Sequence, residues 1–465
     1  MRLALSRGIG LMHSLSVKGS LGLSLSLSLS LSLILCLLAG AARAQSPADL
    51  PQVVPVFQLQ RQAAVQELAE RAEILVMFHL PAPHFRADSY GSVDYREDAG
   101  HAARQRLAAA VARDYQLELM EDWAMPVLSV DCYRMRLPIG ATATPLLEAL
   151  ARDQRIEWAQ LIQDFAAQGS ADPLPRPQPA AVTDPLYRTQ PAAGAWRLEQ
   201  VRKVATGRKV VVAVVDSGVE SSHPDLAGQV MAEENFVDNQ KYLPELHGTA
   251  VAGIIAARAG NGVGIEGVAP EARLLALRAC WQTVAATRCN SFTLAKALNF
   301  ALSNGAHIIN LSLSGPQDRL LQQLVDIALL RGVRVVGAVD PARPDGGFPA
   351  NTPGVFAVAP DGAMPPAGGR TLLAPGRDIP TTMPGGRWGL VAGSSYAAAH
   401  VSGMLALLEE LRPQLPAARL RDSIVLNEGS PPLTGIDLCA TISRISGKCS
   451  CACQPSSSSR FAHSP

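Results

Sequence analysis

The sequence predicts an α/β fold, a parallel sheet flanked by helices and preceded by a small α+β unit, and three observations carry that prediction. Residues 209–215, 274–279, 307–313 and 333–339 are short, Val- and Ile-rich runs without polar alternation, which read as strands buried on both faces. Helical stretches alternate with them, and one, residues 246–255, repeats Gly and Ala at helical spacing, so it can pack closely on a sheet. A Pro-rich stretch, residues 173–179, divides this region from an earlier one of different texture. At 465 residues, 48% hydrophobic and 17% charged, the chain has ample material for a core and for two or three units. Its 41 basic and 40 acidic residues create no global field for nucleic acid or an anionic membrane, so a partner must be recognised locally.

Taken in order, residues 1–44 read as a signal peptide. Arg2, Arg7 and Lys18 precede a Leu/Ser run over 21–38, which ends at Ala42-Arg43-Ala44, with cleavage expected before Gln45. An uncleaved membrane anchor is the alternative, weakened by the alternating Ser, and a lipid anchor on Cys36 is disfavoured by bulky Leu35. The expected location is secreted or periplasmic, with no membrane attachment after cleavage. Residues 45–172 read as strand 74–78, helix 101–115, a strand pair around 127–137 and a helix from 144 towards 161. This unit holds no catalytic cluster, so a folding, inhibitory or substrate-recognition role fits it. Residues 173–183 form a linker, 184–430 the main α/β domain, and 431–465 a Cys/Ser-rich tail.

Export bears on the cysteines. Outside the cytosol Cys280 and Cys289 can form a disulfide across a short loop, the alternative being two free thiols. Cys132, Cys439, Cys449, Cys451 and Cys453 are then an odd set whose pairing the sequence does not reveal. The close spacing of Cys449, Cys451 and Cys453, with no His or acidic residue nearby, is not that of a zinc site.

Three positions carry candidate chemistry. Asp216 stands at the end of the apolar run 210–215, where parallel sheets build sites. A carboxylate there orients a histidine, or simply accepts bonds from the turn after it. His247 opens the small-residue helix, placed to act as a general base or to be structural. Ser395 follows Gly393-Ser394 in the first turn of another small-residue helix, where free N–H groups favour a developing negative charge; an ordinary helix cap is the alternative.

Together these motifs resemble the subtilisin-like serine proteases, over about residues 184–411. Asp216-Ser217-Gly218, His247-Gly248-Thr249 and Gly393-Ser394-Ser395 are similar to the family's three motifs in the family's order, and Gly267-Val268-Ala269-Pro270 and Asn310 to Gly315 also fit. The resemblance implies a subtilisin-like sheet and a serine endopeptidase acting on polypeptides without a cofactor for the chemistry. It assigns Asp216, His247 and Ser395 to a triad, and Ser312, Leu313, Ser314 and Gly315 to the strand that pairs with substrate. It also implies that residues 45–172 are a propeptide partnering its own protease, with mature protein starting between Gln168 and Trp196. The Cys280–Cys289 loop would then stiffen the rim of the site.

The pattern also departs from the family. The oxyanion-hole Asn is replaced by Asp340, followed by Pro341, and losing such a donor costs about 10²–10³ in turnover. Either Asp340 is protonated and donates, favouring mildly acidic pH, or the Ser395 N–H acts alone. A catalytically weak protein with a binding or regulatory role is the competing reading. Ser394, Tyr396 and Ala399 replace the usual Thr, Met and Pro, and Tyr396 removes an oxidisable sulfur beside the nucleophile. Asp225 and Asn261 stand where calcium-binding members have ligands, so a structural calcium is one expectation, although turn-forming residues give the same sequence without an ion.

Overall fold

The computed structural model describes residues 72–79, 93–173, 184–284, 286–364, 371–413, 415–427 and 435–447. Residues 1–44, expected to be a signal peptide, most of the Pro-rich link and the Cys449, Cys451 and Cys453 cluster lie outside them. All described residues belong to one compact unit, Leu68–Pro465.

The first part contains β1 (Glu73–His79), α1 (Val93–Asp114), β2 (Glu118–Met125), β3 (Val130–Arg136), α2 (Ala143–Leu150) and β4 (Trp158–Leu161). The strands form an antiparallel sheet in the order β2-β3-β1-β4. The two-residue period of β1 explains its five consecutive buried positions, since both faces of this sheet are covered. Ile74, Val76 and Phe78 pack with Ala108 and Val111 of α1 and Leu150 of α2. Leu75 and Met77 point the other way, into a cluster shared with Phe292 and Leu298 of the larger part.

Three expectations shift here. The first helix starts earlier, at Val93. The strand pair expected around 127–137 is a turn followed by β3, its partner β2 being hidden by the polar sequence Glu118–Met125. The helix expected to run towards 161 ends at Leu150, because Asp153 binds both the N–H and the guanidinium of Arg155 and forms a turn before β4.

Two short strands follow, β5 (Asp164–Ala167) and β6 (Ser170–Pro173). The larger part then runs α3 (Pro191–Ala195), α4 (Leu198–Val201), β7 (Val211–Asp216), β8 (Val230–Asn235), α5 (Leu246–Ala256), β9 (Arg273–Arg278), β10 (Cys280–Gln282), β11 (Thr287–Asn290) and α6 (Ser291–Ser303). It continues through β12 (Ile308–Leu311), β13 (Leu313–Ser314), α7 (Arg319–Leu330), β14 (Arg334–Ala338), β15 (Phe356–Pro360), β16 (Leu372–Ala374), β17 (Ile379–Met383) and β18 (Arg387–Ala392). It closes with α8 (Ser394–Leu411), α9 (Ala417–Ser423) and α10 (Leu438–Ser446).

Seven strands make a parallel sheet in the order β16-β15-β14-β12-β7-β9-β8. Alternate residues of its strands face opposite layers. Val212, Val214, Leu274 and Ile308 join α5 and α8 in one core, and Ala213, Val215, Leu275 and Ile309 join α6 and α7 in the other. This double burial is why these strands lack polar alternation. From β7 the chain crosses to the edge strand β8, comes back to β9 beside β7, and then builds the other side from β12. The order therefore reverses between β7 and β12, and their carboxyl ends frame a crevice.

The tail expected from residue 431 is, in its first part, helix α10. Asp437 caps it by accepting the Ala440 N–H at 2.9 Å, and Leu438, Ile442 and Ile445 pack in the core. No helix among the described residues is long and apolar enough to cross a membrane.

Candidate active site

The crevice between β7 and β12 receives three side chains. Asp216, at the end of β7, is 2% exposed, and its carboxylate accepts the Ser217 N–H at 2.7 Å and lies 2.7 Å from His247 Nδ1. At that distance from a carboxylate Nδ1 carries the proton, which leaves Nε2 as the basic nitrogen. His247 Nε2 is buried and makes no hydrogen bond among the described residues. The start of α5 is fixed through Ser217 and Glu245. Gly248 N–H donates to Ser217 Oγ at 3.0 Å, and the buried Glu245 accepts from the Gly218 N–H, the Gln282 N–H and Arg278 Nε. Glu245 thus ties the turn after Asp216 to the helix carrying His247, a role that nothing in the run Pro244-Glu245-Leu246 signalled.

Ser395 is fully buried in the first turn of α8. Its N–H donates to the Gln168 carbonyl at 3.1 Å. Its Oγ accepts the Gln168 N–H at 2.9 Å and donates to the Ser312 carbonyl at 2.7 Å. Ser312 is itself fixed, its Oγ accepting from Asn310 Nδ2 at 2.8 Å and donating to the Ser395 carbonyl at 2.9 Å. On the same helix, burial pulls the His400 imidazole down to about 4, so that ring is neutral near pH 7 and braces α8 through the Tyr396 carbonyl, 2.8 Å from its Nδ1. Burial and then the Asp216 charge push the Tyr396 phenol up.

The cleft around Ser395 is filled by the chain's own residues 164–173. β5 lies between β11 and β13 in antiparallel pairing, Cys289 opposite Phe165, and Leu313 and Ser314 opposite Ala167 and Ala166. Phe165 is buried between Gly315 and Phe348, its ring centroid 6.2 Å from that of Phe348. Beyond Ser395, β6 pairs with β18, Ser170 opposite Ala392. The Gln168–Gly169 peptide bond therefore lies across the Ser395 hydroxyl, four residues before the boundary placed at 172/173. Of the positions expected to meet substrate, Leu313 and Ser314 pair with β5, Gly315 borders Phe165 and Ser312 holds Ser395. Cys280 and Cys289 are bonded and staple the β10–β11 hairpin that forms the opposite wall. Cys132 is a free, buried thiol, and Cys439 is disulfide-bonded. Sequence reasoning missed β11, β18 and Phe348 as walls; the aromatic-small-small pattern Phe165-Ala166-Ala167 ahead of Gly169 was the available signal.

Asp340 is turned into its own loop. Its carboxylate accepts the Ala342 N–H at 2.9 Å and faces Arg343 Nε at 3.5 Å, and it makes no hydrogen bond to the Gln168 carbonyl among the described residues. An Asp ahead of a Pro favours this local turn, in which the side chain accepts from the N–H two residues on.

Asp225 and Asn261 are adjacent, but they do not fit a calcium ion. Asn261 Nδ2 donates to Asp225 Oδ1 at 3.0 Å, while Asp225 Oδ2 accepts from the Ile265 N–H and from Trp388 Nε1 at 2.7 Å. Asn261 Oδ1 in turn accepts the Val263 N–H. Calcium asks for about six to eight oxygens turned towards it, and here those oxygens are engaged by N–H donors. The loop is tied down by the Trp388 indole instead.

Comparison with known proteins gives the family. A model described as the subtilase family matches residues 207–359 and 365–436. A subtilisin of Bacillus pumilus is 36% identical over 242 residues, covering 47% of this chain and 83% of that protein. Subtilisin E of Bacillus subtilis strain 168 is also 36% identical, the match spanning 60% of its length. The crystal structure of fervidolysin from Fervidobacterium pennivorans, described as a keratinolytic enzyme related to subtilisin, shares the fold with a TM-score of 0.60 at 22% identity, covering 80% of this chain and 61% of that one. The chain is therefore a member of the subtilase family of serine endopeptidases.

Proposed function

We propose that this chain is a secreted serine endopeptidase made as a precursor that first cuts itself between Gln168 and Gly169. One observation carries the reading: the Gln168 carbonyl accepts the Ser395 N–H, and the chain continues on both sides of it as paired strands, as a bound substrate would. The signal-like residues 1–44 and the Cys280–Cys289 bond support export.

The chemistry uses protein groups alone. The Ser395 hydroxyl turns from the Ser312 carbonyl to His247 Nε2, which takes its proton as Oγ bonds to the Gln168 carbonyl carbon. Charge builds on the Gln168 oxygen, which the Ser395 N–H at the helix N-terminus stabilises. His247 then returns the proton to the Gly169 nitrogen, the C–N bond breaks, and water later releases the acyl group from Ser395. Asp216 holds the imidazole in the required tautomer.

The position of Asp340 favours a second reading, a catalytically weak member of the family with a binding role, because no side chain among the described residues donates to the Gln168 carbonyl. A fluorophosphonate probe separates the two. The proposed enzyme labels at Ser395, and labelling disappears in Ser395→Ala; no labelling of processed wild type would support the binding role.

A further inference from the structure

Gly169, just after the proposed cut, sits where no side chain fits. A Cβ built on it would lie 2.5 Å from Tyr396 Cε2 and 3.0 Å from the Ala392 carbonyl oxygen, well inside the 3.5–4.0 Å or so at which carbon atoms rest. Gly169 is not among the glycines with positive φ, so its backbone conformation is open to any residue and only space demands glycine.

The obstruction cannot move away. Tyr396 is 1% exposed, its ring tilted against His247 at 5.4 Å between centroids. The Ala392 oxygen is backbone, fixed in β18. Nor can Gly169 retreat, since Gln168 on one side is bonded through both its N–H and carbonyl to Ser395, and Ser170 on the other is paired with Ala392.

We infer that Tyr396 is a specificity-determining residue that admits only glycine after the cut bond. The substrates are then extended polypeptide segments with glycine immediately after the cut bond. This rests on the proposed cut at Gln168–Gly169 and names the substrate class of that site.

The test uses processed enzyme and two quenched fluorescent peptides, Phe-Ala-Ala-Gln-Gly-Ser-Ala and the same peptide with Ala for Gly, with the cut bond located by mass. Wild type is expected to prefer the Gly peptide in kcat/KM by about 10–200-fold, the discrimination one methyl-sized group gives in a tight pocket. The preference should fall towards unity in Tyr396→Ala and persist in Tyr396→Phe, which keeps the ring. Should Tyr396→Ala not fold, Tyr396→Met, flexible at the same place, is read for the same loss. Equal cutting of both peptides by wild type, or an undiminished preference in Tyr396→Ala and Tyr396→Met, overturns the inference and leaves self-cutting intact. Failure to cut the Gln–Gly bond at all, in enzyme that labels at Ser395, overturns both.

Discussion

Ser395 is held by two partners: the Ser312 carbonyl, which competes with His247 Nε2 for the hydroxyl proton, and the Gln168 N–H, which donates to the hydroxyl oxygen. Asp216 and His247 are already joined, so the proposed attack begins with this hydroxyl turning from the Ser312 carbonyl onto Nε2, a move between staggered side-chain positions. The strand in the cleft therefore presents the bond proposed to be cut and engages the proposed nucleophile. The oxyanion side is equally asymmetric, with a backbone donor on Gln168 and the Asp340 carboxylate bonded within its own loop. Asp340→Ala is accordingly expected to leave kcat within a few-fold, whereas loss of a side-chain oxyanion donor costs about 10²–10³. A fall of that size would show that the carboxyl group reaches the hole. The three candidate catalytic residues were legible because a strand end, a helix start and a Gly-led helix turn each leave a local mark. The direction of the Asp340 side chain was not, since it depends on a turn around Pro341.

At the scale of elements, β5 lies in a slot between β11 and β13, and Phe165 is its anchor. A Cβ on Gly315 would lie 2.2 Å from Phe165 Cδ1, well inside van der Waals contact. Gly315→Ala should therefore slow appearance of processed chain by about 10–200-fold, and Phe165→Ala in the same chain should restore part of the rate. Unchanged processing in Gly315→Ala would mean that Phe165 does not occupy this slot during cutting. The strands that carry the site, β7, β9, β12 and β14, were readable because burial on both faces leaves an unbroken apolar run. β2 was not readable, its polar Glu118–Met125 being held by neighbours in the sheet rather than by its own pattern. α10 was hidden in a stretch read as tail, although Leu438, Ile442 and Ile445 have helical spacing.

Across the whole molecule, the antiparallel sheet of the first part is docked by more than its apolar face. Gln160 donates to Asp318 at 2.9 Å and accepts the Leu320 N–H at 3.1 Å, capping α7, while Gln163 N–H donates to Ser291 at the start of α6 at 2.8 Å. The buried Lys296, whose ammonium burial pulls down, pairs with Glu121 and lies 4.1 Å from the Phe292 ring centroid. These contacts lie away from Ser395 and survive the cut, so the first part is expected to stay docked after the bond is broken, and the probe and peptide assays use processed enzyme cleared of it. Intact-mass and amino-terminal analysis of the full chain, beside its Ser395→Ala variant, tests the central claim most directly. Wild type should yield a fragment ending at Gln168 and a second beginning at Gly169, while Ser395→Ala stays joined. Active wild-type enzyme still continuous across Gln168–Gly169, or the same cut made in pure Ser395→Ala, would contradict it.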